Sequence, residues 1–100
     1  MSSFRERCLE KLTLIPKGRV STYKSIAHSL HSKAYRAVGS AIGKNPNPII
    51  VPCHRVVNSD GSLGGYAKGK EKKIQLLQEE GVQVENDKIV DFENIFFDVT

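Results

Sequence analysis

The chain has 100 residues, 39% hydrophobic and 26% charged, with a net charge of +4. That composition is not that of a disordered chain, and it allows one small domain with a modest core, over residues 1–100. No apolar run approaches the roughly 20 residues of a membrane span, and the opening Met-Ser-Ser-Phe-Arg-Glu-Arg holds no apolar signal segment, so a soluble, intracellular protein is expected. Charge is unevenly placed: residues 1–73 hold 14 Lys/Arg against 4 Asp/Glu, a balance of +10, and residues 74–100 hold 1 Lys against 7 Asp/Glu, a balance of −6. A basic body with an acidic end suits a polyanion-binding surface, although ordinary charge scatter is the alternative. In chain order, Ser3 and Glu6 have capping-box spacing at the start of a first helix. Phe4, Cys8, Leu9 and Leu12 share its inner face, and Pro16 and Gly18 end it.

"STYKSIAHSL" reads as a second helix capped by Ser21, with Ile26, Ala27 and Leu30 inward. After His31-Ser32-Lys33, "AYRAVGSAIG" reads as a third, with Ala34, Ala37, Val38, Ala41 and Ile42 on its inner side. Two short helices joined this way suggest a helix-turn-helix. The outer strip of the third helix carries Tyr35, Arg36, Gly39, Ser40 and Gly43. A mid-helix glycine costs roughly 1 kcal/mol against alanine, so a strip this bare has a purpose: it lets the backbone lie against a broad wall such as a sugar-phosphate chain, or it packs closely on another helix. Arg36 is the only long cation there.

"GKNPNP" is a loop stiffened by two prolines, and "IIVPCHRVVN" a short buried strand or extended segment. "SDGSLGGYAKG" is turn-rich and flexible. "KEKKIQLLQEEG" is a fourth helix with Ile74, Leu76 and Leu77 inward and Gly81 at its C-terminal cap. "VQVENDKIVDF" alternates like a hairpin around residues 85–87.

Cys8 belongs to the inner stripe of the first helix and reads as packing. A disulfide with Cys53 is not expected in a reducing compartment. His28, His31 and His54 lack metal-ligand spacing, so solvent-facing helix histidines are preferred to a zinc site and no metal or cofactor is expected. Cys53 is different: it follows Pro52 and precedes His54. A thiol of ordinary pKa is mostly protonated at neutral pH, so a nucleophilic cysteine needs a base, and the base an orienting acid. In an extended segment Cys53 and His54 point to opposite faces, so contact needs a water or a tight turn. Glu80 closes the fourth helix, where a carboxylate opposes the helix dipole. It is either retained for a purpose or simply solvated.

"VPCHRVV" resembles the active-site signature of the O6-alkylguanine-DNA alkyltransferases. "GRVSTYKSIA", "YRAVGSAIGKNPNPIIVPCHRVVNSDGSLGGYAKGKEKK" and "LLQEEG" resemble that family's consecutive blocks, in order, over residues 4–92. The resemblance implies a mostly α fold with small β elements, a winged-helix-like helix-turn-helix domain carrying an active-site loop. It implies that Cys53 attacks the alkyl carbon on guanine O6, that His54 acts as base through a water, and that Glu80 orients His54. Asn45 would tie the preceding loop to the active-site turn. Tyr23 would press on the phosphate beside the lesion and donate to the departing guanine. Arg36 would fill the gap left by the flipped nucleotide, with Gly39, Ser40 and Gly43 in the minor groove. Tyr66 would wall the base pocket, and the carbonyls of Cys53 and Val56 would accept from the guanine amine. The implied partner is double-stranded DNA containing O6-alkylguanine, bound by a monomer in the cytoplasm, on the nucleoid, or in the nucleus.

Three departures stand out. Family members commonly carry an N-terminal domain that this chain does not show. Tyr35 stands beside Arg36 where a small residue is usual, and Ala67 where serine often follows the pocket tyrosine. Two other readings compete. Alkyltransferase-like proteins bind alkylated guanine without transfer, but they typically replace the cysteine that is intact here. A helix-turn-helix regulator with a structural cysteine leaves "PCHRVV", the bare strip and Glu80 unexplained.

Overall fold

Ser3 opens α1 (Phe4–Leu12), its Oγ accepting from the Glu6 N–H at 3.1 Å, and Cys8 and Leu12 are buried beneath it as their spacing predicts. The structure is a computed structural model that describes residues 3–43, 52–66 and 69–99. Two residues of strand, β1 (Ser21–Thr22), lead directly into α2 (Tyr23–Ser29). The expected Ser21 cap is corrected: Ser21 is paired in the strand, and Thr22 caps α2 by accepting from the Ser25 N–H at 3.0 Å. A left-handed His31, φ 56°, turns the chain before α3 (Tyr35–Gly43). Helices α2 and α3 make the expected helix-turn-helix.

The inner face of α3 is narrower than its alanines suggest. Val38, Ala41 and Ile42 are buried, whereas Ala34 and Ala37 are exposed. Ala34 precedes the helix, and Ala37 lies on the flank that α1 and α2 leave uncovered. After Pro52 the chain makes a 3-10 turn, Cys53–Arg55, rather than running extended. The strand is confined to β2 (Val56–Val57), parallel to β1 with Ser21 opposite Val56 and Thr22 opposite Val57. This short pair separates two cores. Val56 joins Cys8, Leu12, Ile26 and Val38, while Val57 joins Val20, Leu63, Leu77 and Ile89.

The glycine-rich segment is not loose throughout. Leu63 is buried, and Ser62 bridges to Lys88. Helix α4 (Lys70–Glu79) ends as Gly81 predicts. Gly81, φ 89°, donates to the Gln78 carbonyl and Val82 to the Leu77 carbonyl, the paired bonds that close a helix on a left-handed glycine. Its inner face holds Lys73, Leu76 and Leu77, with Ile74 only partly buried. The hairpin forms as expected, β3 (Val84–Glu85) with β4 (Lys88–Ile89), turning on Asn86 and Asp87 at positive φ. A short α5 (Phe92–Ile95) follows, unforeseen in the sequence, and Phe96 bridges to Val20 beside β1. Among the described residues no helix is long and apolar enough to cross a membrane.

Candidate active site

The 3-10 turn answers the geometric question raised by neighbouring Cys53 and His54. Successive side chains in such a turn are about 120° apart, not on opposite faces as in a strand. Cys53 therefore faces a cavity while His54 enters the interior. His54 Nε2 lies 3.0 Å from Glu80 Oε2, and the ring is 1% exposed. A carboxylate only accepts, so Nε2 carries the hydrogen and Nδ1 keeps its lone pair. Nδ1 is buried with no hydrogen-bond partner among the described residues. Burial holds His54 below its usual pKa against the pull of Glu80, and the cations of Arg55 and Lys73 add to the lowering. A ring kept neutral with an unused basic nitrogen is able to take a proton.

Glu80 is the C-terminal cap residue of α4. Its poor position relative to the helix dipole is offset by Arg55, which donates from Nε to Oε1 at 2.9 Å and from Nη2 to Oε2 at 2.6 Å. Burial pushes the Glu80 carboxyl up, but the bonds from Arg55 and His54 outweigh it and hold the group below the ordinary carboxylate range. Arg55 Nη1 also donates to the Ile15 carbonyl at 2.8 Å, tying the turn to the loop after α1. Arg55 was quoted in the sequence motif without a role. Its place directly after His54 was the available signal.

Cys53 is 3% exposed, yet it borders a cavity of about 650 Å³ that also takes in Tyr23, Tyr66, Tyr35, Arg36 and Gly39. Gly43, Lys24, Asn58 and Ser59 complete much of its wall, the last three unforeseen. The volume lies within the usual range for a small-molecule pocket, roughly 300–1,000 Å³. Tyr66 is hydrogen-bonded to Cys53, and burial with that neighbour pushes its phenol to about 12. Burial, with Cys53 nearby, also raises the Tyr23 phenol. Both hydroxyls stay protonated at neutral pH and are available as donors. The left-handed Gly64, φ 71°, packs against Tyr23, where a Cβ would lie 3.3 Å from its hydroxyl.

The bare strip is open. A Cβ built on Gly39 or Gly43 meets nothing within 4 Å among the described residues, which removes close helix packing as the reason for these glycines. Ser40 is exposed on the same face, outside the cavity lining. Tyr35 is 40% exposed, with its hydroxyl 3.3 Å from His28 Nε2. Val56 is fully buried, backbone included, and does not border the cavity. Asn45 and Ala67 lie outside the described residues.

One buried group was missed altogether. Lys73 is 0% exposed, and its Nζ donates to the carbonyls of Val56 at 2.6 Å, Leu63 at 2.6 Å and Gly65 at 3.2 Å. Burial lowers its pKa to about 8. Helical spacing was the signal, since Lys73 precedes Leu76 by three residues and Leu77 by four.

Over residues 3–82 the chain matches the family described as 6-O-methylguanine DNA methyltransferase, DNA binding domain. It is 45% identical over 85 residues to a Sulfolobus acidocaldarius protein named methylated-DNA–protein-cysteine methyltransferase, covering 85% of this chain and 54% of that one. The chain spans about half the length of the curated relatives it matches. Mycobacterium tuberculosis OGT in complex with DNA superimposes with a TM-score of 0.76 at 43% identity, over 80% of this chain and 50% of that one. S. pombe Atl1, in complex with damaged DNA containing O6-carboxymethylguanine, superimposes with a TM-score of 0.84 at 27% identity, over 97% of this chain and 98% of that one.

Proposed function

This chain belongs to the 6-O-methylguanine DNA methyltransferase family by its DNA-binding domain, and on that premise we propose that it repairs DNA directly, moving an alkyl group from O6 of guanine onto its own Cys53. The observation that carries this reading is that Cys53 opens on the same cavity as the outer strip of α3. A helix laid along DNA would bring an extruded base to the thiol.

The lesion carbon lies inside the duplex, so the nucleotide must be flipped out at a cost of a few kcal/mol. Gly39, Ser40 and Gly43 let α3 sit close in the minor groove, which discriminates sequence poorly and so admits a lesion in any context. Arg36 enters the stack and offsets the lost stacking. Tyr66 walls the pocket, and the carbonyl of Cys53 accepts from the guanine amine. The Cys53 proton passes through a water to Nδ1 of His54, whose Nε2–H remains on Glu80. A sulfur–carbon bond then forms as the carbon–O6 bond breaks. The guanine leaves with the bonding pair and is neutralised by a hydrogen bond or proton from Tyr23, a role that a phenol kept protonated supports. The thioether has no route back to a thiol, so each molecule acts once. The whole domain, residues 1–100, acts as a monomer on double-stranded DNA, in the cytoplasm, on the nucleoid, or in the nucleus.

A second reading, lesion binding without transfer, is the less favoured; its support is the fold likeness, at 27% identity, to S. pombe Atl1 in complex with damaged DNA. The Cys53 thiol beside the cavity weighs against it. A Cys53→Ser variant separates the steps: it should bind duplex containing O6-methylguanine and leave the methyl group in place. Loss of methyl from the DNA with that variant would remove Cys53 from the acceptor role.

A further inference from the structure

Tyr35, Gly39 and Gly43 recur every fourth residue, so they form one row along α3, and all three border the cavity that takes in Cys53. Two members of the row have no side chain, and the third is an aromatic ring. Among the described residues the exposed large hydrophobic side chains are Leu14 and Tyr35, and Leu14 is no part of the cavity wall. The ring of Tyr35 is also held. Its hydroxyl is 3.3 Å from His28 Nε2, and the two rings have centroids 6.0 Å apart with planes tilted by 59°. His28 belongs to α2, so the contact braces the ring across the helix-turn-helix and reduces the entropy it loses on binding.

The row sets a steric demand. A surface close enough to touch the backbone at Gly39 meets the Tyr35 ring first, one turn earlier. The ring then has to pass into that surface. In a DNA minor groove the space open to it lies between bases, where apolar side chains of groove-binding proteins insert. Arg36, the next residue, stands about 100° further round the helix. In the alkyl-transfer reading above, on which this inference rests, Arg36 fills the gap left by the flipped nucleotide. We propose that Tyr35 is a second stacking residue, laid against a base pair that flanks the flipped nucleotide, so that a cation fills the gap and an aromatic ring covers its neighbour. Recognition of the opened duplex then depends on the ring as well as on Arg36. A tyrosine that only joins α2 to α3 has no such dependence.

The test is a double-substitution cycle on duplex affinity, run in the Cys53→Ser protein so that no transfer intervenes. One partner is Tyr35, changed to Ala or to Phe. The other is a duplex holding one O6-methylguanine, with normal flanking pairs or with tetrahydrofuran abasic sites replacing the pair on the 5′ or the 3′ side. Tyr35→Ala should weaken binding to the normal duplex by about tenfold, within the range of base–aromatic stacking. On the duplex that lacks the stacked pair, the same change should cost less than about twofold, because the ring has no base to meet. Tyr35→Phe, which keeps the ring and loses the hydroxyl, should stay within about threefold of tyrosine on the normal duplex. Unfolding midpoints show that the fold of each variant is kept. An equal loss on all three duplexes overturns the stacking, as does no loss on any. A Phe variant as weak as Ala also overturns it and makes the hydroxyl a phosphate contact instead. If wild-type protein binds the lesion duplex and stays unmethylated, the alkyl-transfer reading falls alone, since the cycle reads binding and still decides the role of Tyr35.

Discussion

Arg55 grips Glu80 with a two-pronged contact, Nε to Oε1 at 2.9 Å and Nη2 to Oε2 at 2.6 Å, while the same carboxylate holds His54 at 3.0 Å. One carboxylate thus serves a cation and an imidazole together. The arginine satisfies the negative charge, so the imidazole is oriented by Glu80 without being protonated by it. In an Arg55→Met variant the carboxylate is left to His54 alone, and His54 binds its proton more tightly. A protonated ring cannot accept from the thiol. The acid limb of the rate of Cys53 alkylation by O6-benzylguanine should therefore move to higher pH, by about one unit for loss of one adjacent charge. A profile that falls in height without moving would reduce Arg55 to a structural part.

The same buried ring sets a pH dependence of stability. The folded-state pKa of His54 is below its usual 6.5, so the unfolded chain takes the proton first. Stability from His54 is full above that value and falls as pH drops from 6.5 toward the folded pKa. Glu80, held below its usual 4.5, has stability that is present above 4.5 and lost as pH falls further. Urea unfolding between pH 8 and pH 5 should show a decline in the wild type and a shallower one in His54→Gln, whose amide can still donate to Glu80. Equal slopes would mean that His54 does not titrate with folding.

Gly39 offers a substitution with opposite effects on fold and function. A Cβ there meets nothing among the described residues. Gly39→Ala should stabilise the protein by up to about 1 kcal/mol through helix propensity. It should also weaken binding to lesion duplex by about tenfold, because the methyl stands between backbone and groove wall. Denaturant midpoints and duplex affinity check both halves. A stabilised variant with unchanged affinity would take α3 out of the groove.

Much of the helical layout was legible because local chemistry decides it. Ser3 and Gly81 sit where capping rules put them, and Glu80 drew attention by its unfavourable place at a helix end. The misreadings have a common cause: the partner was distant in sequence. Ser21 scores as well as Thr22 for a cap until Val56 claims it for a strand. Ala34 and Ala37 fit the α3 period, but α1 and α2 cover less of that helix than the period allows. Lys73 lies on the α4 stripe, and charge alone kept it out of the expected core until three carbonyls from β2 and residues 63–65 enclosed it. Leu63 in a glycine-rich stretch was read as mobile, because nothing nearby in sequence showed that Leu77 and Ile89 would receive it.

Arg36 lines the cavity from the first turn of α3, beside the exposed Tyr35. As a wedge it is needed only where a duplex must be opened. Arg36→Ala should slow transfer from duplex DNA by at least about tenfold, a fraction of the few kcal/mol that extrusion costs. Transfer from free O6-benzylguanine should change little. Equal losses on both substrates would discard the wedge.

The most direct measurement follows the sulfur itself. Protein mixed with duplex containing a single O6-methylguanine is analysed by intact mass and by tryptic mapping. One methyl group per molecule, on the peptide holding Cys53 and in step with its loss from the DNA, is the predicted result. Tight binding of the lesion with an unchanged protein mass would contradict transfer and leave a recognition protein in its place.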